Sequence, residues 1–226
     1  MIGVTLVPFL ERLRDLYAQP RGFERFKDYL TLVRSETGEM DLPIASVNPM
    51  AKPHVLARVE RLIALDAERI ALQAARRGAA RLGGDDELRL VVIIADDAGG
   101  GWTNRAFAEF AHRYERKHEV QRGWVTAMLW SSEEPSAELV CRRTLESLYR
   151  TVDERRSGAV RTLREILDRE GRTLAFAGVG SPYDDAAYRA RVEPYLESHG
   201  APALMACLYG DQVASSLGYP PLGVEM

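Results

Sequence analysis

The stretch whose residue types best suit chemistry is Asp96-Asp97-Ala98-Gly99-Gly100-Gly101-Trp102-Thr103-Asn104. Two carboxylates open it, and a carboxylate in a cleft can act as a base, accept hydrogen bonds from ligand hydroxyls or bind Mg²⁺. Three consecutive glycines carry a high conformational-entropy cost, so Gly99, Gly100 and Gly101 point to positive φ angles or to backbone that approaches a ligand closely. Thr103 and Asn104 then stand before a helical pattern. The free N–H groups of a helix start attract phosphate or carboxylate, and both side chains suit ligand binding as well as capping. Neither Gly-x-Gly-x-x-Gly nor Gly-Lys-Ser/Thr occurs here, so the dinucleotide fingerprint and the P-loop are absent.

Three other places offer chemical groups. Asn48, Lys52 and His54 flank Pro53 at another helix start and form a candidate anion clamp with a titratable imidazole. Ser131 heads Ser131-Ser132-Glu133-Glu134, which lacks the Gly-x-Ser-x-Gly elbow of a serine hydrolase, so a ligand contact or a helix cap is expected rather than a nucleophile. Asp211 follows the apolar run Ala203–Tyr209, where a ligand contact competes with an ordinary helix cap. His54, Asp96 and Asp97 are the candidate acid–base groups. Each also has a plain structural reading: a first-turn residue for His54, and a loop-bracing Asx turn for the aspartates. His112 and His118 fit no HExxH pair and read as surface residues, and Arg142-Arg143 reads as part of a solvated helix face. Asp66 interrupts the apolar stripe Val59, Ile63, Ile70 and is expected to be buried in an ion pair.

Four apolar runs are expected to be the strands that carry these loops: Leu42–Val47, Leu88–Ala95, Trp124–Trp130 and Ala203–Tyr209. Leu88–Ala95 is the strongest, a near-continuous aliphatic run typical of a strand buried on both faces. Helical periodicity covers 4–17, 23–33, a long segment from Pro53 to about Leu82, and the stretches after Asn104 and Ser136. In the helix after Asn104, Phe107, Phe110, Ala111 and Tyr114 are expected to face the core. Residues 172–178 fit either strand or helix. The pattern predicts an α/β fold, a Rossmann-like parallel sheet of about four strands flanked by helices. It is expected as one domain over 1–226, with an N-terminal helical pair (1–38) beside a parallel-sheet core (39–226). Ligands of such sheets bind beyond the carboxyl ends of the strands, so Asn48, Asp96, Ser131 and Gly210 are expected at one edge.

A net charge of −3 with basic residues interleaved among acids argues against a general nucleic-acid binder, which needs clustered Lys and Arg. No segment approaches the ~20 apolar residues of a membrane span, and the first residues lack a signal-peptide pattern, so the cytoplasm is the expected compartment. Cys141 and Cys207 lie too far apart for a CxxC motif and read as small buried hydrophobes. The expected function is binding of a small anionic or phosphorylated metabolite at the strand carboxyl edge, as a hydrolase or transferase with or without Mg²⁺. The alternative is a noncatalytic module that senses a metabolite or meets a protein partner, a homo-oligomer included.

Overall fold

The computed structural model describes residues 1–34, 41–44, 46–98, 103–180, 183 and 185–225. Its sheet has three parallel strands, β1 (Gly3–Leu6), β2 (Glu87–Ala95) and β3 (Trp124–Trp130), in the order β1-β2-β3. Before β2 come α1 (Leu10–Ala18), α2 (Phe23–Val33), α3 (Pro53–Ala64) and α4 (Ala67–Leu82); α5 (Arg105–Tyr114) and α6 (Lys117–Gln121) link β2 to β3. After β3 follow α7 (Ala137–Ser157), α8 (Leu163–Ala177), α9 (Ala186–Val192), α10 (Ala201–Tyr209) and α11 (Asp211–Ser216).

β2 is the central strand, and β3 is buried along its whole length, which is why both read as unbroken apolar runs. Their register runs from Arg89 opposite Trp124 to Ala95 opposite Trp130. The two strands therefore end flush, and the residues just beyond them, Asp96 and Ser131, become neighbours. β1 pairs with β2 only as far as Leu6 opposite Leu90 and stops well short of that edge.

Hydrophobic burial divides into two clusters. One joins the sheet to α1, α3, α4 and α7; the other joins Phe110 of α5 to α8, α9, α10 and the C-terminal Val224. Cys207 lies in the second, where burial pushes its thiol up to about 11, so it behaves as the small hydrophobe expected. Helix α4 meets α7 at Gly78, where an added Cβ would come within 2.7 Å of Leu148 and 2.8 Å of Leu145.

Several sequence expectations are corrected. Val4–Leu6 belongs to an edge strand instead of opening a helix, so 1–38 is not purely a helical flank. Leu42–Val47 contains no strand among its described residues, although Ile44 and Val47 are buried. Ala203–Tyr209 lies within α10, where Leu204 to Leu208 are all buried; a helix enclosed on every side is apolar all round and loses its helical period. The sheet therefore has three strands among the described residues rather than about four. Residues 172–177 extend α8, which Gly178 ends at φ 77°. The long helix from Pro53 is two helices, broken where Asp66 adopts a left-handed conformation at φ 60°. Asp66 is half-exposed and pairs with Arg69 within its own helix turn, so it is not a buried charge.

Gly123, just before β3, has φ 75°, and a Cβ there would sit 2.7 Å from the Glu87 carbonyl oxygen. Its own carbonyl accepts the Arg89 N–H at 2.8 Å, so neither side can move without opening the ladder. Gly123→Val is expected to lower stability by about 2–3 kcal/mol, measured as a shift in the urea midpoint.

Candidate functional site

The flush ends of β2 and β3 bring Asp96 and Ser131 together, and the first turn of α3 brings His54 to them. His54 Nε2 lies 2.8 Å from Asp96 Oδ1, and Ser131 Oγ lies 2.9 Å from the same oxygen. Asp96 is 2% exposed while the His54 side chain is 33% exposed, so the carboxylate sits behind an imidazole that faces solvent. With Nε2–H donated to Asp96, the neutral ring carries its lone pair on Nδ1. A histidine oriented by a buried carboxylate in this way has the geometry that acid–base chemistry requires, with Nδ1 as the ring nitrogen not turned to Asp96.

Ser131 braces the chain just beyond β2. Its buried Oγ accepts the N–H groups of Asp97 and Ala98 at 3.2 Å each and donates toward the carboxylates of Asp96 and Asp97. One hydroxyl has one donor and two acceptor sites, all engaged here. Ser131→Ala strands two N–H groups and removes the hydroxyl shared by the Asp96 and Asp97 carboxylates, and is expected to cost about 1–3 kcal/mol in denaturant unfolding.

Asp97, two residues beyond the end of β2, meets the same Ser131 hydroxyl as Asp96 and reaches the loop that follows β3. Its carboxylate accepts from the Ser132 N–H at 3.0 Å, Ser132 Oγ at 2.7 Å and Arg105 at 3.3 Å. Its carboxylate is thus engaged by the β3–α7 loop and by α5, whereas Asp96 is the carboxylate that meets the imidazole. The same loop is tied to α3, because Glu134 accepts from both Arg58 and Arg61, one and two turns beyond His54.

The remaining candidates are placed as follows. Asn48 is buried near the site: its carbonyl accepts the Tyr17 hydroxyl at 2.8 Å and its side chain accepts the Met50 N–H at 2.8 Å, an Asx turn. Tyr17 is raised in pKa by burial, with Asp96 among the charges that add to it, while Arg25 stacked on its ring at 4.7 Å opposes the rise. Lys52 is the exposed residue before α3. Thr103 donates its N–H to the Asp96 carbonyl at 3.1 Å, and Asn104 caps α5 by accepting the Phe107 N–H at 3.0 Å. Gly99, Gly100 and Gly101 lie outside the described residues. Gly210 and Asp211 follow a helix instead of a strand, so the topological reason for placing them at this edge falls away; the Asp211 carboxylate accepts the N–H groups of Leu222, Gly223 and Val224 and holds down the C-terminal segment. Tyr209 does come near: with Asn104, Arg105, Ala106, Glu109, Val213 and Ser216 it lines a groove of about 360 Å³ beside the start of α5.

Sequence reasoning missed a charged ring behind this edge. Arg105 pairs with Glu109 (3.2 Å), Glu109 with Arg113 (3.0 Å), Arg113 with Glu170 (3.6 Å), and Glu170 with Arg150 (2.7 Å). Arg150 approaches Glu146 (3.8 Å), Glu146 Arg143 (3.5 Å), Arg143 Glu133 (2.7 Å), and Glu133 closes on Arg105 (2.8 Å). Trp130 Nε1 donates to Glu109 at 2.9 Å. Arg105 thus joins the ring to Asp97; burial pulls its pKa down, but Glu109, Glu133 and Asp97 outweigh that and leave it raised. Arg143, read as part of a solvated face, is only 14% exposed. His112, read as a surface residue, lines a small cavity inside the ring, whereas Phe107, expected in the core, is exposed. The signal available in the sequence was the spacing Arg105, Glu109, Arg113 on α5 and Arg143, Glu146, Arg150 on α7, at three or four residues along one helix face.

Among the described residues no group of three or more His, Cys, Asp or Glu side chains is placed to hold a metal ion, and no helix is long and apolar enough to cross a membrane. Compared with models of protein families, with curated proteins and with solved structures, the chain has no significant match in any of the three.

Proposed function

We propose that the carboxyl edge of the sheet, in a Rossmann-like cytoplasmic domain, binds a small anionic or phosphorylated metabolite, and that His54 moves a proton at Nδ1 in a hydrolase or transferase reaction. The observation that carries this reading is the 2.8 Å contact of His54 Nε2 with buried Asp96, at the place where parallel sheets bind ligands. Lys52 and the N-terminal turns of α3 and α5 lie along the same edge and supply positive charge for an anion. The test is a thermal-shift screen of phosphorylated and carboxylated metabolites, with and without Mg²⁺, on the wild type and on His54→Ala. A ligand that binds only the native state raises Tm, by about 2.7 kcal/mol of stabilisation at a hundredfold excess over Kd. The expected result is a rise with at least one compound that shrinks in His54→Ala. No rise from any compound removes this reading.

One observation favours a protein-contact surface as the second reading. Phe23 is 72% exposed and Phe26 37% exposed on neighbouring turns of α2, where only Tyr29 of the aromatic trio is buried. Sedimentation of the wild type and Phe23→Ser separates the outcomes: a concentration-dependent mass lost in the variant supports self-association through α2, and a monomer at all concentrations opposes it.

A further inference from the structure

Beyond that reading, the interior of the charged ring carries an inference of its own. The ring encloses a cavity with about 20 Å³ open to a water-sized sphere, whose walls include His112, Thr126, Arg143, Glu146 and Arg150. Thr126 is fully buried on β3, on the same face as Met128 and Trp130, which also line the space. Its Oγ1 has no hydrogen-bond partner among the described residues. The Thr126 N–H is satisfied by Ser147 Oγ at 3.0 Å, so only the hydroxyl of this residue lacks a partner on that side of the strand.

We propose that this cavity is a hydration site that binds one water molecule, held by Thr126 Oγ1 within the charged ring. Size and charge both select that occupant. A cavity holds a water once about 10 to 15 Å³ is open to a water-sized sphere, so about 20 Å³ admits one and leaves no room for an organic ligand. An anion there would face Glu109 and Glu146, and a cation would face Arg113, Arg143 and Arg150, so a small neutral dipole suits walls of mixed sign. The water gives Thr126 the partner that a buried hydroxyl requires and ties β3 to the ring.

The isosteric substitution Thr126→Val tests this, because the two states of the cavity predict opposite signs. If water is bound, Val removes one of its hydrogen bonds: Tm falls and one long-lived internal water disappears from the magnetic relaxation dispersion of water nuclei. If the cavity is dry, Val replaces an unpaired buried hydroxyl with a methyl group and Tm rises. A Tm that rises or stays level, or the same number of long-lived waters in both proteins, overturns the proposal. Should the variant fail to fold, a high-resolution crystal structure of the wild type decides: a solvent peak within about 3.2 Å of Thr126 Oγ1 supports the site, and no peak there refutes it.

Discussion

Glu170→Gln is expected to cost about 3–5 kcal/mol, a large part of the 5–15 kcal/mol typical of a folded domain. Arg150 on α7 gives Nε and one terminal nitrogen to the two oxygens of Glu170 on α8, each at 2.7 Å. Their side chains are 5% and 1% exposed, so neither charge has water to fall back on. Burial alone would raise the Glu170 carboxyl; Arg150, with its hydrogen bonds, and then Arg113 and Arg169 outweigh it and hold the pKa below the usual range. A glutamine keeps the shape but leaves buried Arg150 with only the more distant Glu146 (3.8 Å) and takes a carboxylate from Arg113 as well, so the ring carries one unbalanced positive charge. The double variant Arg150→Met/Glu170→Leu removes both desolvated charges and is expected to recover much of that loss, since a buried pair often exchanges for apolar residues at little net cost. Urea unfolding checks both, and a single-variant loss under about 1 kcal/mol would show the pair to be solvated as surface pairs are.

What the sequence disclosed follows from how local its signals are. Leu88–Ala95 and Trp124–Trp130 are buried on both faces, and their aliphatic runs say so without any knowledge of neighbours. The same logic misleads at Leu204–Leu208, because a short helix buried all round presents an equally unbroken run. β1 has four residues and one partner strand, and Leu6, Phe9 and Leu10 continue a helical period across the junction, so nothing local separates Gly3–Leu6 from α1. The pairing of His54 with Asp96 could not be read as a contact, since the two lie 42 residues apart; Asp96 does end a parallel strand, but the strand expected before His54 at Leu42–Val47 is absent from the described residues, and the start of α3 brings the imidazole there instead. The left-handed turn at Asp66 also has no local mark, and it turned an apparent buried charge into a half-exposed one. The ring shows the same limit: its helical spacings are visible in α5 and α7, yet Glu133 and Glu170 join only when a loop and another helix fold over them.

Stability is expected to fall as pH drops below about 6.5, with His112 as the group responsible at the upper end. Burial is the largest cause holding its pKa well below 6.5; Arg116, Arg150 and Arg113 add to it, and a hydrogen bond to the Thr126 backbone opposes them. In the unfolded chain the ring protonates near 6.5, while in the folded protein it stays neutral. The depressed folded pKa means the native state has its full stability above about 6.5 and loses it as the unfolded state takes up the proton, at up to about 1.4 kcal/mol per pH unit. Other groups overlap at lower pH. Glu109 is held low: burial pushes it up but is outweighed by Arg113, Arg143 and Arg105, so it loses stability as it protonates; Glu119 and Glu154, raised by burial, work the other way. The difference between wild type and His112→Gln isolates one contribution. That difference, from urea unfolding at pH 7.5, 6.5, 6.0 and 5.5, is expected to stay level above about 6.5 and then shift in favour of the variant, approaching 1.4 kcal/mol per unit. A difference that stays flat to pH 5.5 would mean that His112 protonates as readily in the folded protein as in the unfolded chain, and that the arginines around it do not keep it neutral.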